Sequence, residues 1–240
     1  MPDADGESQA ILETVALTVP DENGDPVGPL SLAVSPASLT LVLHPDVFVL
    51  QRIIGVLMGW RQPLAGALFW WGQRPPASYG ALESAKFNLK VSLVRRDLQL
   101  LSGASLYENL RLFQRYNISR PRGELREQAQ KLLFRFRLED WAYDSLTQEL
   151  PEKKRRLGLY ALALIKEPRL VILERPRQFL DRDYPLALQI LNEERAANGL
   201  SALALGRPQE DYERAAFDSV IDLSGAPPPL NLSKEPLSPF

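Results

Sequence analysis

The feature that most constrains the fold of this 240-residue chain is a series of short apolar runs separated by longer helical patterns. Val91–Val94, residues 170–173 and residues 201–205 consist almost entirely of aliphatic and small side chains. Strands of a parallel sheet are buried on both faces and have this composition, and helices connect them. The chain is therefore predicted to be an α/β protein built around a parallel sheet.

The first third of the chain has a different pattern. Four predicted strands, at 13–19, 30–34, 39–43 and 67–71, lie close together along the chain, with turn residues such as ENGDPVG between them. This spacing predicts an antiparallel layer. One more strand, at 219–223, brings the number of predicted strands to eight.

Three helices are predicted from apolar periodicity, at 124–138, 152–166 and 185–198. Gly199 follows the last of them, and glycine is favoured where a helix ends in the left-handed conformation. Residues 97–150 are charged and have no convincing strand pattern, which predicts a helical insert between two strands of the sheet.

The two ends of the chain differ from the middle. Residues 1–12 are predicted to be disordered, and residues 226–240, which contain five prolines, are predicted to form a flexible tail. The predicted domain is therefore 13–225. The acidic, polar start of the chain does not resemble a secretory signal. The most apolar window, 39–59, is interrupted by His44, Asp46, Gln51 and Arg52 and is predicted to be a buried strand, turn and helix, not a transmembrane segment.

Composition excludes several kinds of site. The chain has no cysteine, so disulfides, thiolate metal sites and cysteine nucleophiles are excluded. His44 is the single histidine, which excludes a multi-histidine metal centre and favours a turn residue over a ligand. A net charge of −2 does not indicate a nucleic-acid partner. We expect no metal, no cofactor and no nucleic acid.

The segment VLHPDVFVLQ, residues 42–51, joins a predicted strand to a predicted helix through a tight turn. Such a turn in an α/β protein is a common phosphate site, but it needs glycines and a lysine. This turn has neither.

The order of elements resembles the nucleotide-binding domain of the ATP-binding cassette (ABC) superfamily, and within it most resembles the ATPase subunit of MCE-type bacterial phospholipid transporters. The resemblance covers residues 13–225 and rests on LSLAVSPASLTLVLHPDVFVLQRIIGVLMGW, VSLVRRDLQLLSGASLYENL, LPEKKRRLGLYALALIKEPRLVILERP, FLD and the LSALALGRP to DLSG segment. It implies an ABC-type P-loop NTPase fold, with a RecA-like core, an antiparallel β layer and an inserted helical subdomain.

The positions that match the family's phosphate-binding motif carry other residues. His44, Val47 and Val49 stand where the family has glycines, and valine strongly disfavours the backbone geometry that glycine allows. Leu50 replaces the lysine, and Gln51 replaces the Ser/Thr that holds magnesium.

The remaining catalytic motifs are replaced as well. Arg96 stands at the Q-loop glutamine, residues 150–154 (LPEKK) at the LSGGQ signature, and Arg207 at the switch histidine. Glu174 and Arg175 replace the Walker B Asp-Glu pair, so that a cation stands at the general base. The D-loop residues Leu180 and Asp181 are retained. Because both the P-loop and the signature are lost, the resemblance implies a chain that hydrolyses no ATP.

Arginines follow three of the predicted parallel strands: Arg95 and Arg96, Arg175, and Arg207. Ligands of open α/β sheets bind at the carboxyl ends of the strands, so these side chains are candidates for an anion site. The alternative, which we favour from the sequence, is that they pair with acidic neighbours and fill the space of the absent nucleotide, since buried charges must be paired. The proposed acidic partners are Asp46, Asp97, Glu174 and Asp181.

The resemblance also implies a docking groove for a membrane permease between the Q-loop position and the first helix of the insert. The candidate contact residues are Arg96, Leu98, Leu100, Leu101, Leu106, Tyr107 and Leu110. A plain helix start at this point is the alternative. We therefore expect a catalytically inactive subunit that docks a permease at the cytoplasmic face of the bacterial inner membrane, as a homodimer or beside another cassette. The alternative function is a regulatory pseudo-ATPase that senses a nucleotide or other anion at the arginine-rich edge.

Overall fold

The computed structural model of the chain describes residues 10–75, 90–117, 122–138 and 143–225. Its strands are β1 (Leu12–Pro20), β2 (Pro26–Val34), β3 (Leu39–Leu43), β4 (Ala65–Trp70), β5 (Val91–Val94), β6 (Leu170–Glu174), β7 (Ser201–Gly206) and β8 (Ser219–Asp222). All eight predicted strands are confirmed, with ends that differ by up to four residues.

Its helices are α1 (Val47–Leu57), α2 (Leu106–Asn117), α3 (Arg122–Arg135), α4 (Glu152–Leu164), α5 (Pro176–Leu180) and α6 (Tyr184–Asn198). The three predicted helices are confirmed as α3, α4 and α6. Two of them end two or three residues earlier than predicted. Gly199 ends α6 in the left-handed conformation, with φ of +67°.

Five strands form a parallel sheet in the order β5-β6-β7-β3-β8. The strands β2, β1 and β4 form a separate antiparallel sheet. The prediction that residues 39–43 join the antiparallel layer is wrong, because β3 pairs with β7 and β8 in the parallel sheet. All five residues of β3 are buried, whereas β2 alternates between buried and exposed residues over most of its length. The difference in burial distinguishes a strand that is covered on both faces from a strand that is covered on one face.

The parallel sheet is covered on both faces. Along β3, Leu39, Leu41 and Leu43 pack into one apolar cluster with α4, α6 and parts of α2 and α3. Val42 points to the other face and packs with α1 and the antiparallel sheet. Both faces of β3 are thus buried, and its end is where a ligand can approach it.

The helices α2 and α3 lie between β5 and β6 in the chain, in the segment predicted as a helical insert. Within the described part of that segment, the β structure is a single bridge between Ser105 and Leu146. The predicted disordered start is wrong at its end, since Leu12 begins β1 and Ile11 donates a hydrogen bond to the Val34 carbonyl. Residues 1–9 and the predicted tail 226–240 lie outside the described residues. Among the helices described, none is long and apolar enough to cross a membrane.

Candidate functional site

A cleft of about 630 Å³ lies at the carboxyl edge of the parallel sheet. It is bordered by the start of α1, the turn after β5 and the corner between β6 and α5, which is where ligands bind in open α/β sheets. Its lining residues are Val47, Gln51, Arg95, Arg96, Asp97, Arg156, Glu174, Arg175, Gln178 and Phe179.

The corner between β3 and α1 is only three residues long, 44–46. Asp46 caps the helix, because its carboxylate oxygen accepts a hydrogen bond from the Phe48 N–H at 2.7 Å. The N-terminus of a helix attracts anions. Asp46 places a negative charge there from within the chain.

His44 is buried in this turn, where the Nδ1 atom of its ring accepts a hydrogen bond from the Asp46 N–H at 3.1 Å. The structure therefore places His44 as a turn residue, as predicted from its isolation in the sequence.

The valine and leucine at the predicted phosphate-loop positions belong to α1. Val49 and Leu50 have no solvent exposure and pack in the apolar cluster beneath the antiparallel sheet. The Leu50 N–H donates to the Asp46 carbonyl at 3.3 Å, as in an ordinary helical turn. Of the five positions, only Val47 and Gln51 line the cleft.

Gln51 and Glu174 contact each other directly across the cleft. The Gln51 Nε2 atom donates to the Glu174 Oε1 atom at 3.0 Å, and Glu174 is only 6% exposed. In P-loop NTPases the residues at these two positions both hold the magnesium ion. Within the described ranges, no group of three or more His, Cys, Asp or Glu residues is arranged to bind a metal.

Arg175 forms the corner between β6 and α5 in the left-handed conformation, with φ of +46°. Its Nε atom donates to the Glu210 carboxylate at 2.6 Å, and the other oxygen of Glu210 accepts from the Tyr212 hydroxyl at 2.7 Å. Burial, and then this hydrogen bond, raise the pKa of Tyr212, which keeps its hydroxyl protonated as a donor. Tyr212 packs so closely over Gly206 that a Cβ there would lie 2.2 Å from the hydroxyl oxygen. Arg175, at the general-base position, and Tyr212, in the switch loop, are therefore both bonded to the carboxylate of Glu210.

Arg95 and Arg96 follow β5 and differ in their surroundings. The Arg95 Nε atom lies 2.5 Å from the Asp97 Oδ1 atom and 3.4 Å from the Glu174 Oε2 atom. Arg96 is exposed and has no ion-pair partner among the residues described. The predicted pairing of arginines with Asp97 and Glu174 is thus confirmed for Arg95 alone.

The other predicted acidic partners have different roles. Arg175 pairs with Glu210. Asp46 caps α1, and the backbone carbonyl of Asp181 accepts a hydrogen bond from the Arg177 Nη1 atom. The Nε atom of Arg207 is buried and has no hydrogen-bond partner in the described part of the chain. The prediction that acidic neighbours neutralise all four arginines is therefore wrong.

At the signature position, α4 begins at Glu152 after Pro151, and no side chain caps the helix. Arg156 pairs with Glu152 and donates a hydrogen bond to the Phe179 carbonyl at 2.8 Å. Lys153 pairs with Asp183 at 3.1 Å. The charged residues at the start of α4 thus form ion pairs within the chain.

Beside the cleft lies a groove of about 410 Å³, which includes Arg96, Leu98 and Leu100. A loop, residues 101–105, borders it and leads into α2. Asn109 holds this loop, because its side chain accepts from the Leu101 N–H at 2.7 Å and donates to the carbonyls of Leu101 and Ser105. Thr147 donates a further hydrogen bond to the Leu101 carbonyl at 2.6 Å.

A capping box begins α2. The Ser105 hydroxyl accepts from the Glu108 N–H at 3.1 Å, and the Glu108 carboxylate accepts from the Ser105 N–H at 2.8 Å. The predicted helix start at this point is therefore present.

The predicted docking residues fall into three groups by exposure. Leu98 is 39% exposed and Leu101 is 58% exposed, and Arg96 is exposed as well. Leu100 and Tyr107 are partly buried against the core, and the ring of Tyr107 stacks on Tyr143.

The prediction is wrong for Leu106 and Leu110, which are both 1% exposed. They lie four residues apart on the buried face of α2, so no partner protein reaches them.

Two residues that organise the site were absent from the prediction. Asn109 lies beside the capping motif SLYE at 105–108, whose spacing is visible in the sequence. Glu210 has no local signal, since it reaches Arg175 only because β6 and β7 are neighbours in the sheet.

No protein-family model matches the chain. Among curated proteins, it is 30% identical over 152 residues to the Nod factor export ATP-binding protein I of Cupriavidus metallidurans, a match that spans 63% of this chain and about half (48%) of the relative.

Among solved structures, cbiO1 from Clostridium perfringens, part of the ABC transporter complex cbiONQ, has a TM-score of 0.74 at 20% identity, over 89% of this chain and 84% of that one. A dimeric ATP-binding cassette bound to ADP and Pi has a TM-score of 0.73 at 16% identity, over 89% and 94%. These likenesses confirm the predicted fold, that of the ABC ATPases.

Proposed function

We propose that this chain, folded as an ATP-binding cassette, is a pseudo-ATPase that docks a membrane permease as a structural subunit of a bacterial transport complex. It lies at the cytoplasmic face of the inner membrane, held there by the permease. The transporter is of the MCE type and moves lipid, as the resemblance of the sequence implies.

Two contacts support the loss of ATP hydrolysis, because they lie where a working site would bind phosphate and metal. Asp46 presents a carboxylate at the start of α1, and like charges repel a phosphate there. Gln51 and Glu174 bond to each other where a magnesium ion would need both of them.

The transition state also lacks its usual charge stabilisation. Leu50 is buried in the core and offers no positive charge, and Arg175 replaces the general base. Removal of one such group costs on the order of 3 to 4 kcal/mol of transition-state stabilisation.

An ATPase assay of the purified chain with magnesium tests the inactivity. We expect no rate above that of a buffer blank, and no change on Glu174→Gln. A magnesium-dependent rate that Glu174→Gln abolishes would overturn the proposal, because it would place Glu174 in a working site.

The groove supports the docking role. Leu98 and Leu101 expose apolar surface near Arg96 in the chain, and Asn109 and Thr147 hold the backbone of the loop that begins at Leu101. A surface that is already ordered loses little conformational entropy when a partner binds.

Affinity purification of the tagged chain from native membranes tests the partner. We expect a permease to co-purify, together with a second cassette or a second copy of this chain. Recovery of no membrane protein would contradict the docking role. Recovery of a permease without an MCE-type lipid-binding component would keep the docking role and reject the lipid assignment.

A further inference from the structure

Two arginines of the cleft, Arg95 and Arg175, are held through Nε, and their terminal nitrogens remain available to bind an anion. A guanidinium group has one Nε atom and two terminal nitrogens, and the terminal pair can grip a carboxylate or phosphate in two parallel hydrogen bonds. Arg95 and Arg175 both have the Nε atom against a carboxylate, that of Asp97 in one case and Glu210 in the other.

The terminal nitrogens of these two arginines have no hydrogen-bond partner within the described ranges. The closest ion-pair contacts of both residues, and the side-chain hydrogen bond of Arg175, are made by Nε. The guanidinium carbon of Arg95 also lies 5.7 Å from the centre of the Trp60 ring. Arg156, which also lines the cleft, differs, because its two terminal nitrogens are bonded to the Phe179 carbonyl and to Glu152. The free donors are thus a property of two positioned side chains and are not shared by every arginine of the cleft.

Both arginines are largely buried, with side-chain exposures of 20% for Arg95 and 17% for Arg175. Side chains that are already held in place lose little rotamer freedom when a ligand binds. Arg96 adds a third guanidinium at the same cleft, and its charge is not matched by an ion pair with any residue described.

Two lining residues of the cleft are acidic: Asp97, which lies against Arg95, and Glu174, which ends β6 and accepts the hydrogen bond of Gln51. Four lining residues are arginines: Arg95, Arg96, Arg156 and Arg175. The lining therefore carries more positive than negative charge, which attracts an anion. A magnesium ion is not needed to offset its charge, because guanidinium groups provide that charge.

We propose that the cleft binds a phosphate-bearing small molecule without magnesium, and that Arg95, Arg96 and Arg175 supply the donors. A cavity of about 630 Å³ accommodates a ligand the size of a nucleotide or a smaller phosphate ester. The site lies beyond the docking role of the chain, and its existence does not depend on a permease.

Isothermal titration of the purified chain with pyrophosphate, in the presence of EDTA, tests the site. We expect saturable binding, at least tenfold weaker in Arg96→Gln, which changes an exposed side chain. We also expect weaker binding in Arg175→Lys, which keeps the charge and removes the paired terminal donors. Arg169→Gln is the matched control, because Arg169 is exposed at the opposite end of β6 and loses the same charge.

Absence of saturable binding by the wild-type chain overturns the proposal. So does equal affinity of wild type and Arg96→Gln, or an equal loss in Arg169→Gln, which would indicate general charge attraction. A parallel titration with ATP in EDTA identifies the source of the phosphate: tighter binding than pyrophosphate indicates a nucleotide, and equal binding indicates recognition of the phosphate alone. Hydrolysis of ATP is measured separately, so that a failure of the proposed inactivity leaves this result intact.

Discussion

The cleft at the strand ends and the groove beside it satisfy their polar groups in opposite ways. In the cleft, functional side chains bond to one another, as Gln51 does to Glu174 and Arg175 to Glu210. Beside the groove, two polar side chains, Asn109 and Thr147, bond to the backbone of the loop, and the side chain of Leu101 on that loop is exposed.

The two regions are therefore organised for different tasks. In the cleft, Gln51 of α1 bonds to Glu174, so neither side chain is available to a phosphate or a metal ion. A loop held by its backbone keeps its own side chains available for contact. Substitutions in each region test this contrast.

Leu50→Lys should have the largest effect. The substitution introduces the lysine that a phosphate loop has at this position. However, Leu50 has no solvent exposure, and its side chain packs in the core on the buried face of α1. Burial of an unpaired ammonium group should lower the free energy of unfolding by about 4 kcal/mol or more, measured by urea denaturation. Leu50→Met, the control, should cost less than about 1.5 kcal/mol. Equal stability of the two variants would mean that the corner opens toward the cleft.

Asn109→Ala should have the next largest effect. It removes the three hydrogen bonds of a buried side chain and leaves the Leu101 N–H without its acceptor, which should cost about 2 to 3 kcal/mol in the same measurement. Asn192→Ala is the control, since that side chain makes one hydrogen bond along its own helix, to the Leu188 carbonyl. If both variants lose the same small amount, the loop is not held as the structure indicates.

Asp46→Ala should cost about 1 kcal/mol, the usual contribution of a helix cap. Asp46→Asn keeps a capping oxygen and should remain within about 0.5 kcal/mol of the wild type. The loss in the alanine variant measures how much the hydrogen bond between the Asp46 carboxylate and the Phe48 N–H stabilises the start of α1. A wild-type stability for Asp46→Ala would mean that Asp46 does not cap α1.

The sequence predicts the sheet well and its edge less well, for a physical reason. Each strand has its own apolar run, so all eight strands are visible locally. The sheet to which β3 belongs is not visible from its proximity to β1 and β2 along the chain. Its continuous burial, however, agrees with its composition, which is four aliphatic residues and one threonine.

The site residues show the same limit. The cap of α1 by Asp46 follows a local rule for residues that precede an apolar helix, so it is predictable from the sequence. The pair of Arg175 and Glu210 spans 35 residues and depends on the order of strands in the sheet. Leu106 and Leu110 were assigned to the groove by resemblance, although their spacing of four residues is typical of a core-facing helix stripe.

Leu101→Ser should have the smallest effect on stability and a specific effect on docking. The side chain is 58% exposed, so its loss should change the free energy of unfolding by no more than about 0.5 kcal/mol. Leu64→Ser is a close control, because Leu64 is 56% exposed just before β4, in a different part of the molecule. Co-purification of the permease should fall in Leu101→Ser and stay at the wild-type level in Leu64→Ser. An equal yield from both variants would mean that the exposed loop is not the contact, and that its hydrogen bonds to Asn109 and Thr147 serve only the packing of α2.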